Sequence, residues 1–227
     1  MTFNREQPAT WPYFSPAIIA HDVGRSRDRS TAVVGGNCPF EARLTGITEL
    51  IELQQGLYGS ARASALASVD RRQQSNALIV ADLSNDATYA EVLHETFGSR
   101  VIGLQISRYG DGMQFERRPV KQAAMPVYTV GRTYLLELLH SELQTGQIKM
   151  VDGPMSRKAY EQLMNLETEM RESGIVYKCP SSQHDDLGIS CAMLAWAARH
   201  PHLQRWVSLY RPRQRRPRQT VDWKAWT

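Results

Sequence analysis

Two short apolar runs each end in an aspartate, and that repetition limits what this chain can fold into. Ala77-Leu78-Ile79-Val80-Ala81 is a continuous apolar run with the length of a buried strand, and Asp82 follows it. Earlier, Ala17-Ile18-Ile19-Ala20 opens a strand that runs through His21 into Asp22. Side chains alternate along a strand, so Ile18, Ala20 and Asp22 share one face, as do Leu78, Val80 and Asp82. An acid at the end of a buried strand is costly unless its charge is offset. In open α/β sheets, sites gather at such strand ends.

The remaining pattern surrounds these strands with others and with helices. Thr31 to Gly35 and Glu41 to Ile51 read as strands, Gly59 to Gln74 as a helix, Tyr89 to Phe97 as a helix stopped by Gly98, and Arg100 to Ser107 as a strand. Asp111-Gly112 is a turn dipeptide, so a hairpin is expected within Arg108 to Val120. Leu135, Leu138, Leu139 and Leu143 recur at helical spacing. Tyr160, Leu163, Leu166 and Met170 do the same in a helix expected to run on to Gly174. Ile175-Val176-Tyr177 is a last strand, and His184 to His200 a last helix. Strands that come first as a meander and then alternate with helices predict an α/β fold with one mixed sheet flanked by helices.

With 227 residues, 42% of them hydrophobic, the chain can bury a core without staples. Cys38, Cys179 and Cys191 are far apart and show no C-x-x-C spacing, which argues against a zinc site or a disulfide framework and for a reducing compartment. No secretory leader and no membrane-length apolar run is visible, so a soluble, cytoplasmic protein without a membrane partner is expected. Residues 1–16, with Pro8, Pro12 and Pro16, read as a leader or linker, 17–204 as the folded domain, and 205–227 as a basic arm. In that arm Arg211, Arg213, Arg215, Arg216 and Arg218 crowd together around Pro212 and Pro217. Such a run is either a solubilising tail or an arm that binds phosphates without reading sequence. Trp206, Trp223 and Trp226 either stack on bases or dock the tail on the body.

Asp185 and Asp186 open the last helix, where the helix dipole and free N–H groups favour carboxylates. Taken singly, an Asp after a strand is ordinarily a turn residue, and an Asp at a helix start is ordinarily a cap. Together, two strand-end acids and a helix-start pair form an all-oxygen cluster suited to magnesium, which takes oxygen ligands and only one or two carboxylates per ion. Two such ions can hold the attacking water and the leaving oxygen of a phosphodiester in line.

These residues resemble the nuclease domain of phage terminase large subunits, a ribonuclease H-like fold related to Holliday-junction resolvases. The first matching segment is Asp22-Val23-Gly24 followed by Asp28-Arg29-Ser30-Thr31-Ala32, the second Ile79-Val80-Ala81-Asp82, and the third His184-Asp185-Asp186-Leu187 leading into Ala192-Met193-Leu194-Ala195-Trp196-Ala197. Val127 to Arg132, Gly146 to Met150 and an expected helix from Lys158 to Arg171 extend the likeness, which covers Ala17 to His200. The resemblance implies a ribonuclease H-like mixed sheet flanked by helices and a metal-dependent DNA endonuclease using two Mg²⁺ or Mn²⁺ ions. It carries the metal-binding, catalytic acids over to Asp22, Asp82 and the Asp185-Asp186 pair, with Asp186 favoured as the main third ligand. Asp28 and Asp86 are lesser candidates, and His184 an orienting neighbour rather than a ligand.

The pattern departs from the family after the second acid, where Ser84-Asn85-Asp86 replaces a glycine-rich stretch. No G-x-x-x-x-G-K-[ST] occurs, so the packaging ATPase is not expected in this sequence, which fits an excised nuclease domain, one half of a split terminase or a remnant. The expected partners are double-stranded DNA and, through the resemblance, a separate terminase ATPase, a small terminase subunit and a portal. The phosphate-tracking candidates are Arg25, Arg27, Arg108, Arg117, Arg118, Lys121 and the five arginines of the arm. Two other readings stay open at this point. One is a Holliday-junction resolvase-like nuclease. The other is a non-catalytic DNA-binding or assembly module with vestigial acids.

Overall fold

The computed structural model describes residues 17–24, 29–38, 43–171, 174–180 and 184–203. The leader at 1–16, the basic arm at 205–227 and the candidates Arg25, Arg27 and Asp28 lie outside the described residues.

Along the chain come β1 (Ile18–Asp22), β2 (Thr31–Asn37), β3 (Thr45–Glu52), α1 (Gly59–Arg72), β4 (Leu78–Asp82), α2 (Tyr89–Phe97), β5 (Val101–Ser107), β6 (Asp111–Val120), β7 (Ala123–Gly131), α3 (Arg132–Gln144), β8 (Ile148–Met150), α4 (Pro154–Met164), β9 (Glu167–Arg171), β10 (Gly174–Lys178) and α5 (Asp186–Arg199). One eight-stranded mixed sheet has the order β6-β7-β5-β4-β1-β2-β3-β8, and β9 and β10 form a separate antiparallel pair. The centre is parallel, with β1 beside β4, β4 beside β5 and β5 beside β7. The meander of β1, β2 and β3 is antiparallel.

Alternation along the central strands splits the core into two layers. Ile18, Ala20, Val33, Leu78, Val80 and Ile102 face α3, α4 and α5, whose Leu135, Leu139, Ala159, Leu187 and Leu194 complete that side. Ile19, Ala32, Ile79, Ala81 and Val101 face α1 and α2, against Leu66, Val69, Leu93 and Phe97. On the second side the near-buried Asp70 of α1 receives Arg100 at 2.7 Å and the Ala77 amide at 3.1 Å, which ties the end of α1 to the start of β4.

Two expected elements are corrected. The hairpin does not turn at Asp111-Gly112. Those residues begin β6, and the reversal falls at Lys121-Gln122 between the antiparallel β6 and β7. Lys121 takes the left-handed φ of 52° that the turn needs, without a glycine. The helix expected to reach Gly174 ends at Met164, and the stretch containing Met170 is β9. Met170 is 77% exposed, so its place in the helical spacing is not a core position.

α5 lies close against the meander because β2 carries Gly35 where the two meet. A Cβ there would collide with the Gly46 carbonyl and stand 3.1 Å from Leu194 Cδ1 of α5. Gly35→Val should overpack this contact at a cost of about 1–3 kcal/mol. It should lower the melting temperature by about 2–4 °C for each kcal/mol of that cost. A thermal melt indistinguishable from the parent's would show that the sheet yields there freely.

Candidate active site

The parallel register Ile18↔Leu78 to His21↔Ala81 ends β1 and β4 side by side, so Asp22 and Asp82 leave neighbouring strands at the same edge of the sheet. Both lie on the face toward α5, and the start of α5 brings Asp185 and Asp186 to that edge. One cleft of about 560 Å³ is lined by Asp22, Asp82, Asp185 and Asp186, together with Ser84, Arg108 and Arg132. The four acids expected from the sequence thus share a cleft, although up to 164 positions separate Asp22 from Asp186. Asp86 does not line the cleft. Its Oδ1 accepts from the Tyr89 amide at 3.2 Å and from Thr88 Oγ1 at 2.7 Å, fixing the first turn of α2. His184 is exposed, just ahead of α5.

Asp82, Asp185 and the start of α5 are held by partners to which the sequence pattern gave no role. Asp82 is 5% exposed, and its Oδ1 accepts from Ser84 Oγ at 2.5 Å and from the Ser84 amide at 2.9 Å. Ser84 Oγ in turn accepts from the Ile106 amide at 2.7 Å, linking the acid to β5. An Asp with a Ser two residues on is a common local turn, and that was the available signal. The start of α5 is fixed from two sides. Gln162 of α4 accepts from the Leu187 and Gly188 amides at 3.1 and 3.2 Å, satisfying helix-start donors that would otherwise be orphaned in the core. Thr31 of β2, paired with Asp22 in register, donates to the Asp186 carbonyl at 3.1 Å. Its Oγ1 also lies 2.6 Å from Ser190 Oγ.

Arg132, the first residue of α3, is a cation that faces these acids. Its guanidinium pairs with Asp185, and its charge also acts on Asp22 and Asp186. Burial raises the Asp22 carboxyl well above the ordinary carboxylate range, Asp82 and Asp186 push it the same way, and Arg132 opposes them. Burial also raises Asp82, against the lowering effect of its hydrogen bonds from Ser84 and Ile106. His21, which directly precedes Asp22, points away from the cleft, as alternation along β1 requires. Its Nδ1 lies 2.8 Å from the Thr31 carbonyl, and burial lowers the imidazole to about 4, so it stays neutral.

The donor set is all oxygen, which suits a hard divalent cation. The acids are close enough for their charges to oppose one another, and a cation would relieve that opposition. In the arrangement described, one acid of the four is instead engaged by Arg132. Among the described residues, no group of three or more His, Cys, Asp and Glu is set to hold an ion as it stands.

The raised Asp22 carboxyl makes stability depend on pH in a defined sense. The folded protein holds this proton more tightly than the unfolded chain, whose Asp titrates near 3.8. The resulting stability is complete below that value and is lost as the pH rises through the folded one. In EDTA, Asp22→Asn should therefore melt a few degrees above the parent at about pH 8, with the gap closing toward about pH 4. His21 acts in the opposite sense but is common to both proteins. A gap that does not change with pH would show that Asp22 carries no such strain.

Neither a protein-family model nor a curated protein matches the chain. Solved structures do. The large terminase nuclease of thermophilic phage G20c superposes with a TM-score of 0.56 at 20% identity, covering 81% of this chain and 84% of that one. The nuclease domain of the large terminase of Thermus phage P74-26 gives 0.51 at 18% identity, covering 82% and 88%. The human cytomegalovirus terminase nuclease domain, solved soaked with Mn and bound to an inhibitor, gives 0.54 at 16% identity, covering 85% and 87%. The likeness covers more than four-fifths of this chain, whose eight-stranded mixed sheet flanked by helices thus has the ribonuclease H-like fold of terminase large-subunit nuclease domains.

Proposed function

We propose that the chain is a metal-dependent endonuclease that hydrolyses DNA phosphodiester bonds, as the nuclease part of a phage DNA-packaging terminase does. The observation that carries this reading is the gathering of Asp22, Asp82, Asp185 and Asp186 in one cleft of a fold shared with nucleases. Asp22, Asp82 and Asp186 would hold the cations, with Asp185 joining them on release from Arg132. Two Mg²⁺ or Mn²⁺ ions are proposed, and the Mn-soaked cytomegalovirus domain supports a divalent cation, not their number. When bound, such ions supply Lewis-acid stabilisation of the phosphate oxygens and an activated water. The chain's own residues supply the rest. Arg108 and Arg132 line the cleft and offer positive charge to a backbone phosphate. Ser84 orients Asp82, and Thr31 and Gln162 fix the start of α5 on which Asp186 stands.

Double-stranded DNA is the proposed substrate, with the arginines from Arg211 to Arg218 as a non-specific phosphate-binding arm. A terminase ATPase, a small terminase subunit and a portal are the partners this reading anticipates. Translocation is not assigned to these residues, since the sequence holds no G-x-x-x-x-G-K-[ST]. Among the described residues no helix is long and apolar enough to cross a membrane.

Plasmid nicking tests the reading directly. Mg²⁺ or Mn²⁺ should support cutting and EDTA should abolish it. Asp22→Asn should slow cutting by more than the roughly 10–100-fold typical of removing a group that only orients a metal ligand. Asp152→Asn, which weakens only an exposed pair with Arg157 at 3.1 Å, should cut like the parent. Full activity of Asp22→Asn, or cutting that persists in EDTA, contradicts the assignment. Preference for a four-way junction over linear duplex would favour a resolvase.

The arm is tested separately. Removing Arg211 to Thr227 should weaken duplex binding and flatten its dependence on salt, by roughly 0.9 in log–log slope for each phosphate the arm neutralises. Identical binding across a salt series would make the arm a solubiliser.

A further inference from the structure

Arg62 of α1 is 4% exposed and does not line the cleft, yet its guanidinium reaches toward both loops that follow the acid-bearing strands. Nη2 donates to the carbonyl of Gly24, two residues beyond Asp22, at 3.3 Å. Nη1 stands 3.9 Å from Oδ2 of Asp86, four residues beyond Asp82. Nε donates to the Leu57 carbonyl at 3.2 Å, anchoring the side chain to the turn ahead of its own helix. The Tyr89 ring lies 5.1 Å from the guanidinium carbon. Gly24 is gripped from its other side as well, where its amide donates to Ser30 Oγ at 3.1 Å. Gly24 and the Ser84-Asn85 stretch before Asp86 are themselves part of the cleft wall.

As a device for stability this cluster is poor. A buried guanidinium is costly to desolvate, and an apolar side chain of similar volume often serves a core as well or better. Among the described residues, Arg62 Nη1, Tyr89 Oη and His21 Nε2 are all buried without a hydrogen-bond partner. What the arrangement secures is the relative position of two loops.

We propose that Arg62 is a positioning residue, a clamp that ties Gly24, just beyond Asp22, to Asp86 in the β4–α2 loop and thereby steadies the cleft wall on both sides of the acid pair whose separation the β1–β4 register sets. Its consequence for cation binding rests on the nuclease reading, whereas its action on the loops does not. Groups that orient metal ligands from outside typically matter by 10–100-fold in affinity or activity.

The test compares Arg62→Met with the parent by amide hydrogen exchange, calorimetric Mn²⁺ titration and duplex binding in EDTA. Peptides containing Gly24 and peptides containing Asp86 should both exchange faster, while the rest of α1 stays protected. Mn²⁺ affinity should fall roughly 10- to 100-fold, and duplex affinity in EDTA should not change. Arg62→Lys keeps the charge but reaches only one loop, so it should lie between the two. It also carries the comparison if Arg62→Met loses its fold by circular dichroism. Exchange unchanged at either loop overturns the clamp, as does unchanged Mn²⁺ affinity when both loops loosen. If both loops loosen but the parent binds no Mn²⁺ and cuts no DNA, the loop clamp stands and the nuclease reading falls.

Discussion

The parallel pairing of β1 with β4 is the constraint on which the site depends. Each strand is buried on both faces by apolar neighbours, so its register against the other is strongly specified. A slip of one residue would turn Asp22 or Asp82 from the α5 face into the layer packed by α1 and α2. Register and alternation together bring two acids to one sheet edge. The same geometry lets Asp82 add to the effect of burial in raising the Asp22 carboxyl.

That effect is partly offset within the chain. Arg132 stands opposite the acids and pairs with Asp185, so the cleft combines crowded negative charge with a counterweight at the start of α3. The counterweight and the acids arise from elements far apart in sequence, β1, β4, α3 and α5, and the sheet is what makes them neighbours. Hydrogen bonds from Ser84 and Thr31 then fix orientation rather than supply charge.

The central strands and the acids were legible because period-two alternation and buried apolar runs are local signals that the sheet has no reason to override. The pattern alone gave a mixed sheet flanked by helices, and the ribonuclease H-like fold came from the family resemblance carried by the Asp22-Val23-Gly24, Ile79-Val80-Ala81-Asp82 and His184-Asp185-Asp186-Leu187 segments. Arg132 was read only as part of a resembling segment, since its partner lies 53 positions later and nothing local marks the pair. Gln162 was hidden for the same reason, and Thr31 was read only as part of the first resembling segment, without a role of its own. The misplaced hairpin has a different cause. Gly112 does adopt a positive φ of 74°, as its dipeptide suggests, but it does so where β6 begins and the backbone passes the Trp196 indole. The real turn uses Lys121, a residue type that carries no turn signal. The overlong helix followed from apolar spacing continuing past Met164, where Leu166 and the exposed Met170 keep the period by coincidence.

α5 is buried along nearly its whole length, with Leu187 through Ala198 all withdrawn from solvent. A helix enclosed on every side moves as a rigid rod or not at all, because interiors are close-packed and yield little. The acids at its tip therefore inherit the stiffness of the entire core. Substitution therefore has little freedom to shift that arm of the cleft. Substitutions in the cleft-wall loops, by contrast, leave the core's packing intact. The cleft is thus stiff on the helix side and adjustable on the loop side.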